Sequence, residues 1–367
     1  MASFLNIRQI VDFAILPLMN VAVALLISGL VVLFVGQNPL EAVGYLVSGA
    51  LGSGEGIGFT LYFATSFMFT GLAVAVASHA GLFTIGAEGQ AYLGGLGIAL
   101  VCLALDKIVP WYVTLVPAAM AGMLFGAAWA FIPAYLQARR GSHLVITTIM
   151  FNFIASSVMI YVLVNLIKEP GSMAPQTRLF DAGGLVPKLG EILPVDIGTA
   201  PLNISLFIAI AAAVFVWVLI WKTKLGFEIR ATGANPAAAR NAGIGYVKIT
   251  IVCMLISGAL AGLAGVNILM GDLGKLQLDF PAGIGLVGVA VALMGRGHPV
   301  GIAVASVLFG VLYQGGAEIS FWMPNITREL IMLIQGLVIL FAGALSLMFR
   351  SSVYSLVDLF RFSKREA

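Results

Sequence analysis

The feature that most constrains this chain is a succession of long apolar segments, each close to the length that crosses a lipid bilayer. A transmembrane helix needs about 20 predominantly apolar residues. On that rule the approximate spans are 12–35, 61–78, 84–105, 111–136, 144–167, 201–221, 249–270, 283–295, 300–320 and 327–349. Only 10% of the residues are charged, against about 25% in soluble domains. The sequence therefore predicts an all-α polytopic membrane protein with about ten transmembrane helices, forming a single transmembrane domain over residues 1–367.

The basic residues indicate the orientation of these spans. An even number of spans places both termini on the same side. With that side inside, the inner segments carry about two Lys or Arg residues for each one in the outer segments, as the positive-inside rule requires. We therefore expect cytoplasmic termini, a cytoplasmic loop at 226–248 and an outer, proline-rich loop at 168–200. The basic residues are scattered at segment ends, so the net charge of +3 does not indicate nucleic acid.

Two glycine-rich stretches, 81–97 and 283–301, adjoin short spans and predict broken helices. The first contains Gly81–Gln90, in which Glu88 and Gln90 accompany three glycines. Such a break is tolerated at membrane depth only where protein or a water-filled cavity satisfies the freed backbone groups. An ionisable residue there is a functional-site hypothesis. The alternatives are a short cytoplasmic turn with Glu88 in water, or a Glu88 that caps the amides of its own glycine turn.

Other glycines predict close helix packing. Gly122 and Gly126 lie one helical turn apart, and Gly258 and Gly262 have the same spacing. Small residues at this spacing let helix backbones approach one another.

Polar and aromatic side chains near the breaks are candidates for solute contact. Small-molecule sites combine a few placed polar groups with apolar and aromatic walls. The candidates for a substrate pathway are Phe83, Thr84, Glu88, Gln90, Phe151, Asn152, Asn267 and Gln314. A simpler interpretation stays open for several of them. Asn152 and Asn267 could bond a neighbouring helix, and the Phe side chains could face lipid or core.

A second candidate site is a short helix in the inner loop between the sixth and seventh spans. Asn235 is a good N-cap, Pro236 fits the first helical position and Gly243 fits the C-terminal cap. A helix of two turns is marginal alone in water, so we expect it to dock on another protein. The docking candidates are Glu228, Arg230, Asn235, Pro236, Ala238, Ala239, Arg240 and Gly243. The alternative is a capped connector without a partner.

Several stretches resemble the permease subunits of ABC importers in the ribose and branched-chain amino-acid group. Gly-Leu-Phe-Thr-Ile-Gly-Ala-Glu-Gly-Gln at 81–90 is similar to the Gly-Leu-Phe-Asn-Ile-Gly-Ala-Glu-Gly-Gln signature of its nucleoside branch. Residues 146–155 and 288–301 resemble two further stretches of that branch, and the inner loop resembles the coupling segment of the group.

The chain departs from that pattern at three places. Thr84 stands where the signature usually has Asn, and Ser66 stands where Pro is expected. Ser142 and His143 stand where many members have Asn-Glu. If these positions touch the ligand, the departures favour a solute that differs from a common nucleoside.

The resemblance implies a permease subunit of the bacterial inner membrane that moves a nucleoside or purine-type solute into the cytoplasm. It also implies three partners within the lipid bilayer or at its faces: a cytoplasmic ATPase that binds ATP and Mg, a second related permease subunit, and an extracytoplasmic substrate-binding lipoprotein. The chain has no Gly-x-x-x-x-Gly-Lys-Ser/Thr loop, so we expect no cofactor on it.

Three alternatives are weighed against this function. A permease for a sugar such as ribose is the nearer alternative, and an ion-coupled secondary transporter is more distant because it needs ionisable groups along its pathway. An intramembrane enzyme is disfavoured, because His79, His143 and His298 lack metal-ligand spacing.

Overall fold

A computed structural model describes residues 16–192, 196–327, 329–337 and residue 340 of this chain. Within these residues the regular structure is helical apart from two isolated β-bridges. The prediction of an all-α membrane protein is confirmed. In chain order, the main α-helices are α1 Leu16–Phe34, α2 Pro39–Leu51, α3 Gly54–His79, α4 Ala87–Leu105, α5 Trp111–Arg140, α6 Leu144–Asn165, α7 Ser205–Lys222, α8 Lys224–Ala234, α9 Pro236–Asn241, α10 Tyr246–Gly262, α11 Ile284–Met294 and α12 Pro299–Trp322.

Among the described residues, seven helical segments are long and apolar enough to cross a membrane. They are α3, α4, α5, α6, α7, α12 and the segment Tyr246–Leu273, in which the π-helix Val266–Leu273 continues α10. The end of α1 and the whole of α2, bent by 119° at the break between them, would make an eighth.

The prediction of about ten spans is therefore slightly too high for the described part of the chain. The predicted span at 283–295 is the 11-residue helix α11, which is about 16 Å long and too short to cross alone. About half of the predicted span at 327–349 falls outside the described residues.

The chain divides into two compact units, one formed by Ala50–Val311 and the other by Met1–Gly49 with Leu312–Ala367. In the larger unit, α3, α4 and α10 are central. In the apolar 18-residue stretch of α3, 83% of the residues are buried, whereas in the corresponding stretch of α6 only 17% are buried. The outward faces of α5, α6 and α7 carry exposed apolar side chains such as Leu124, Phe153 and Phe215, as expected of helices that meet lipid or another membrane protein. The prediction of a single domain over 1–367 stays a prediction.

Glycine contacts hold α5 and α10 together, as the sequence spacing predicts. A Cβ atom added to Gly126 would lie 2.2 Å from the Gly258 carbonyl oxygen, and one on Gly262 would lie 2.1 Å from that of Gly122. The two pairs therefore face one another, and their backbones approach more closely than any larger residue allows.

The smaller unit has its own contacts. The Tyr45 and Trp322 rings stack with centroids 6.0 Å apart. A Cβ atom on Gly315 would lie 2.5 Å from the Leu46 carbonyl oxygen. Gln314 belongs to this unit, where its amide nitrogen is 3.5 Å from the Glu318 carboxylate.

Candidate functional site

The first break predicted by the glycines begins at Gly81, where α3 ends. Gly81 has φ +74°; its N–H bonds the Ser78 carbonyl at 2.9 Å, and the Leu82 N–H bonds the Ala77 carbonyl at 3.1 Å. This pair of bonds is a Schellman motif, which stops a helix and favours glycine at the left-handed position. The chain leaves the helix here and enters α4 only at Ala87.

The segment between α3 and α4 contains a turn made by Thr84. The Thr84 hydroxyl accepts the Gly86 N–H at 3.1 Å, and the side chain is fully buried. Asn makes the same kind of turn with the amide two residues on. Thr84 therefore keeps a local structural role that the Asn of the signature could perform, so the departure at this position does not require a different solute.

Asn152 of α6 fixes the start of α4. Its amide nitrogen donates to the Ile85 carbonyl at 2.9 Å, and its oxygen accepts the Gly89 N–H at 3.0 Å. The Gly89 amide is one of the first-turn amides of a helix that lack an intrahelical partner. The N-cap of α4, Gly86, makes no side-chain cap bond, so Asn152 supplies the cap from a neighbouring helix.

Glu88, in the first turn of α4, joins the two glycine-rich stretches. One carboxylate oxygen accepts the Gly283 N–H at 2.8 Å, and the other accepts the Gly285 N–H at 2.6 Å. Gly283 is the N-cap of α11. The carboxylate therefore lies at two helix N-termini, where a negative charge is favourable. Glu88 caps the second glycine-rich stretch and not, as one alternative held, its own turn.

The depth of this junction follows from α3. The Thr70 hydroxyl donates to the Ile284 carbonyl at 3.0 Å, so the start of α11 is level with Thr70. At 1.5 Å per residue this level is about 13 Å from the end of α3 at His79 and about 24 Å from its start at Gly54. The Glu88 junction thus lies within the length of a spanning helix and not at its end.

The irregular segment that leads into α11 runs along α4. A Cβ atom on Gly95 would lie 2.2 Å from the Phe280 ring, and the Asp279 N–H donates to the Tyr92 hydroxyl at 2.9 Å. Asp279 and Ala282 have φ +52° and +49°. Left-handed residues other than glycine are uncommon and cluster where the surrounding structure holds them for a function.

Beside the junction, two buried polar atoms have no hydrogen-bond partner among the described residues. They are the side-chain oxygen of Gln90 and the indole nitrogen of Trp129. The Trp129 ring packs on Phe151 with centroids 5.4 Å apart, and its nitrogen is 3.2 Å from a Cβ atom built on Gly89. Buried groups of this kind need a partner, so a water or a polar solute atom would be stabilised there. Sequence reasoning missed Trp129, although an indole N–H inside a span is itself a signal.

Asn267 belongs to a separate network. Its amide nitrogen donates to the Tyr62 carbonyl at 2.9 Å and to the Ser66 hydroxyl at 2.8 Å. Its oxygen accepts from Asn203 at 3.0 Å and from Ser205 at 2.7 Å. These four bonds fill the amide's capacity, so in this conformation Asn267 joins helices, as the simpler interpretation held. Ser66 departs from the expected Pro and supplies one of the four bonds.

Two pathway candidates differ from the cluster residues in exposure or in structural unit. Phe83 is 45% exposed, and Gln314 belongs to the smaller unit. The structure thus brings together Thr84, Glu88, Gln90, Phe151 and Asn152. Contact of any of these residues with a solute stays a prediction.

The inner-loop helix has the predicted caps. The Asn235 side chain accepts the N–H groups of Ala237 and Ala238, each at 3.0 Å. Pro236 is the first residue of α9, and Gly243 has φ +82°. Ala238, Arg230 and Arg240 are exposed, Glu228 is half-buried and Ala239 is buried. One face of this short helix is therefore free to meet a partner.

Residues 56–343 match the family described as "Branched-chain amino acid transport system / permease component". The chain belongs to this family. No solved structure matches this permease.

Curated relatives cover most of the permease. It is 35% identical to a nucleoside ABC transporter permease of Lactococcus lactis over 89% of this chain and 90% of the relative. It is 32% identical to a guanosine ABC transporter permease of Bacillus subtilis, over 90% and 93% respectively. It is 33% identical to a glucose ABC transporter permease of Haloferax volcanii, over 89% and 86%. A second nucleoside permease of Lactococcus lactis is 26% identical to this chain. A second guanosine permease of Bacillus subtilis is 28% identical.

These relatives establish the class of molecule. This permease is a membrane-spanning subunit of an ABC transporter, a transport component and not an enzyme. Among the described residues, no group of three or more His, Cys, Asp or Glu could hold a metal ion.

Proposed function

We propose that this permease imports a nucleoside or a purine-type compound into the cytoplasm, driven by ATP hydrolysis on a partner chain. The observation that carries the solute class is the similarity over about nine-tenths of the chain to permeases named for nucleosides and guanosine. The 81–90 stretch, whose Glu88 forms the junction with α11, supports the same branch. A sugar is the second candidate, favoured by the glucose permease of Haloferax volcanii.

The polar cluster around the junction is the proposed passage for the solute. Thr84, Glu88 and Asn152 fix the backbone there through hydrogen bonds. Gln90 and Trp129 offer an acceptor and a donor without protein partners among the described residues, and Phe151 adds an aromatic face. Phe83 and Asn267 also belong to the proposed pathway set, and Gln314, in the smaller unit, is proposed as a separate solute contact. Such a combination suits a neutral, polar, ring-bearing solute better than an ion.

Movement through the passage requires two states of the permease. Broken helices at mid-depth are typical of transporters in which one bundle moves against another. ATP binding by the partner ATPase would favour one state over the other, because the closed, ATP-bound form of the ATPase binds that state of the permease more tightly.

We also propose the partners and the location. A cytoplasmic ABC ATPase with ATP and Mg docks on the loop that contains α8 and α9. The proposed docking residues are Glu228, Arg230, Asn235, Pro236, Ala238, Ala239, Arg240 and Gly243. A second, related permease completes the channel; the paired permeases of Lactococcus lactis and Bacillus subtilis support it. An extracytoplasmic lipoprotein delivers the solute. The chain lies as one domain in a bacterial inner membrane with both termini cytoplasmic, which the distribution of basic residues supports.

Reconstitution tests this function. The complete transporter in proteoliposomes should take up labelled guanosine or adenosine only when ATP is present on the side of the membrane that holds the ATPase. Unlabelled nucleosides should compete with this uptake, and glucose and ribose should not. Competition by glucose or ribose alone would favour the sugar alternative. Uptake that follows an ion gradient without ATP would reject the ABC mechanism.

A further inference from the structure

The last turn of α8 lies directly against the turn that ends α3. A Cβ atom on Gly233 would be 2.2 Å from the His79 carbonyl oxygen and 2.9 Å from the Gly81 nitrogen. From the other side, a Cβ atom on Gly81 would be 3.3 Å from the Gly233 Cα atom. The two segments therefore touch backbone to backbone, a contact that only glycine allows at position 233.

Helices α8 and α9 are joined without slack. The Asn235 N–H bonds the Ala231 carbonyl at 3.1 Å and closes α8, while the Asn235 side chain caps α9 at Ala237 and Ala238. The Asn235 carbonyl also accepts the Ala239 N–H at 3.0 Å. One residue thus serves as the end of α8 and the start of α9, so a displacement of α9 carries α8 with it.

The start of α8 is held by α7. The Thr223 hydroxyl caps α8 by accepting the Gly226 N–H at 3.0 Å, and a Cβ atom on Gly226 would lie 2.1 Å from the Leu219 carbonyl oxygen. A displacement of α9 therefore acts on the end of α8 that touches Gly81, because the opposite end of α8 is held by α7.

From Gly81 the connection reaches the Glu88 junction within a few residues. Asn152 holds Ile85 and Gly89, and Glu88 holds the start of α11. The segment between Gly81 and α4 is therefore bonded at both of its ends and is not a loose loop.

We propose that Gly233 is a positioning residue that passes the displacement of α9 to the Gly81 turn and, through it, to the Glu88 junction. The inference rests on the proposed docking of α9 on the ATPase. The new part of the inference is the route by which the displacement travels. It passes through the backbone contact between Gly233 and the Gly81 turn, and not only through the packing of α7 and α10.

The test compares Gly233→Ala with Gly245→Ala in the complete transporter. Gly245 lies in the same inner loop, has φ −75°, and its added Cβ would meet only Lys248 at 3.8 Å. For Gly233→Ala we expect normal co-purification of the ATPase and normal basal ATP hydrolysis. The number of solute molecules taken up per ATP should fall by about two- to thirtyfold, the range for residues that carry coupling between sites. Gly245→Ala should match the wild type, and a wild-type ratio for an assembled Gly233→Ala complex would overturn the route.

A second variant decides the matter if Gly233→Ala fails to assemble. One glycine inserted between Ala234 and Asn235 leaves both the Gly233 contact and the α9 caps in place but adds slack between them. A lower ratio of uptake to ATP hydrolysis supports the route, and an unchanged ratio rejects it. Docking itself is tested by Asn235→Ala, which removes two cap bonds of α9. Undiminished ATPase binding by that variant would contradict the proposed docking on α9. It would then also remove the source of the displacement that Gly233 is proposed to pass on.

Discussion

The Glu88 carboxylate lies 2.6 Å from the Gly285 nitrogen and, through its other oxygen, 2.8 Å from the Gly283 nitrogen. One side chain thus joins the first turn of α4 to the first turn of α11. Both helices start within the membrane-spanning layer and not at its edge. Both helices present partly positive N-termini to the same carboxylate. The arrangement explains why a charged residue is stable at this depth: backbone donors satisfy both of its oxygens.

Replacement of Glu88 by Gln should weaken this junction. Gln has one acceptor oxygen, so one of the two glycine N–H groups would face an amide NH2 group. Hydrogen bonds to charged groups contribute about 1.5–3 kcal/mol each, and we expect a loss of that order in the stability of the junction. Uptake per assembled complex should fall, and Glu88→Ala should fall further. Glu191→Gln is the matched control, because Glu191 is an exposed carboxylate of the 168–200 loop. Wild-type uptake by both Glu88 variants would remove Glu88 from the mechanism.

Replacement of Asn152 by Ala should loosen the start of α4. The variant loses the bonds to Ile85 and Gly89, and loss of a helix cap costs about 1 kcal/mol. We expect reduced uptake with an intact complex, measured at equal protein levels after size-exclusion chromatography. Asn165→Ala tests specificity, because Asn165 is exposed on the same helix and bonds only the Tyr161 carbonyl of α6. Equal uptake by the two variants would contradict the prediction.

Gly285→Ala and Gly44→Ala should change stability in opposite directions. A Cβ atom on Gly285 would lie 2.2 Å from the Glu88 nitrogen, and overpacking of this kind costs about 1–3 kcal/mol. Gly44, in α2, has nothing within 4 Å of an added Cβ atom, so Ala there should stabilise the helix by about 0.5–1 kcal/mol. Thermal unfolding in detergent measures both effects. A Gly285→Ala transition as high as that of Gly44→Ala would show that the α4–α11 contact is slack.

The 168–200 loop should open at acid pH because one ion pair holds it in place. Arg178 bonds both oxygens of Asp106, at 2.7 and 2.9 Å, and the Asp106 side chain is 1% exposed. Burial by itself raises the pKa of Asp106, but the Arg178 bonds, the Asp181 N–H and the nearby positive charges outweigh it and hold the pKa below its usual value. An Asp with a lowered pKa stabilises the fold fully above its unfolded-state pKa of about 3.9, and the stabilisation is lost as pH falls through the folded-state pKa.

Limited proteolysis of the 168–200 loop across pH measures this effect. Cleavage should be slow above about pH 4 and should rise below it, while Asp106→Asn should be cleaved rapidly at neutral pH. Asp181→Asn is the control. Asp181 also pairs with Arg178, at 3.1 Å, but its side chain is 53% exposed, and an exposed ion pair contributes little to stability. A pH-independent cleavage pattern in the wild type would mean that the Asp106–Arg178 pair does not hold the loop.

The sequence by itself determined the features that depend on neighbouring residues or on composition. A chain with this many long apolar segments and only 10% charged residues is stable in a membrane and not as a soluble domain. Gly81 ends α3 because it provides the left-handed turn. Asn235 and Pro236 start α9 through bonds within four residues. The Gly122–Gly126 and Gly258–Gly262 spacings likewise predicted close packing, although they did not say that the two pairs face each other.

Only the tertiary structure decided which distant groups meet. The acceptor at Glu88 and its donor at Gly283 are separated by 195 residues, and no local pattern encodes that pairing. The same holds for Gly233 against Gly81, for the saturated Asn267 amide and for Trp129 beside Gly89. The physical reason is that local propensity acts through adjacent backbone atoms, whereas a buried donor or acceptor takes whichever partner the packing of whole helices brings within bonding distance.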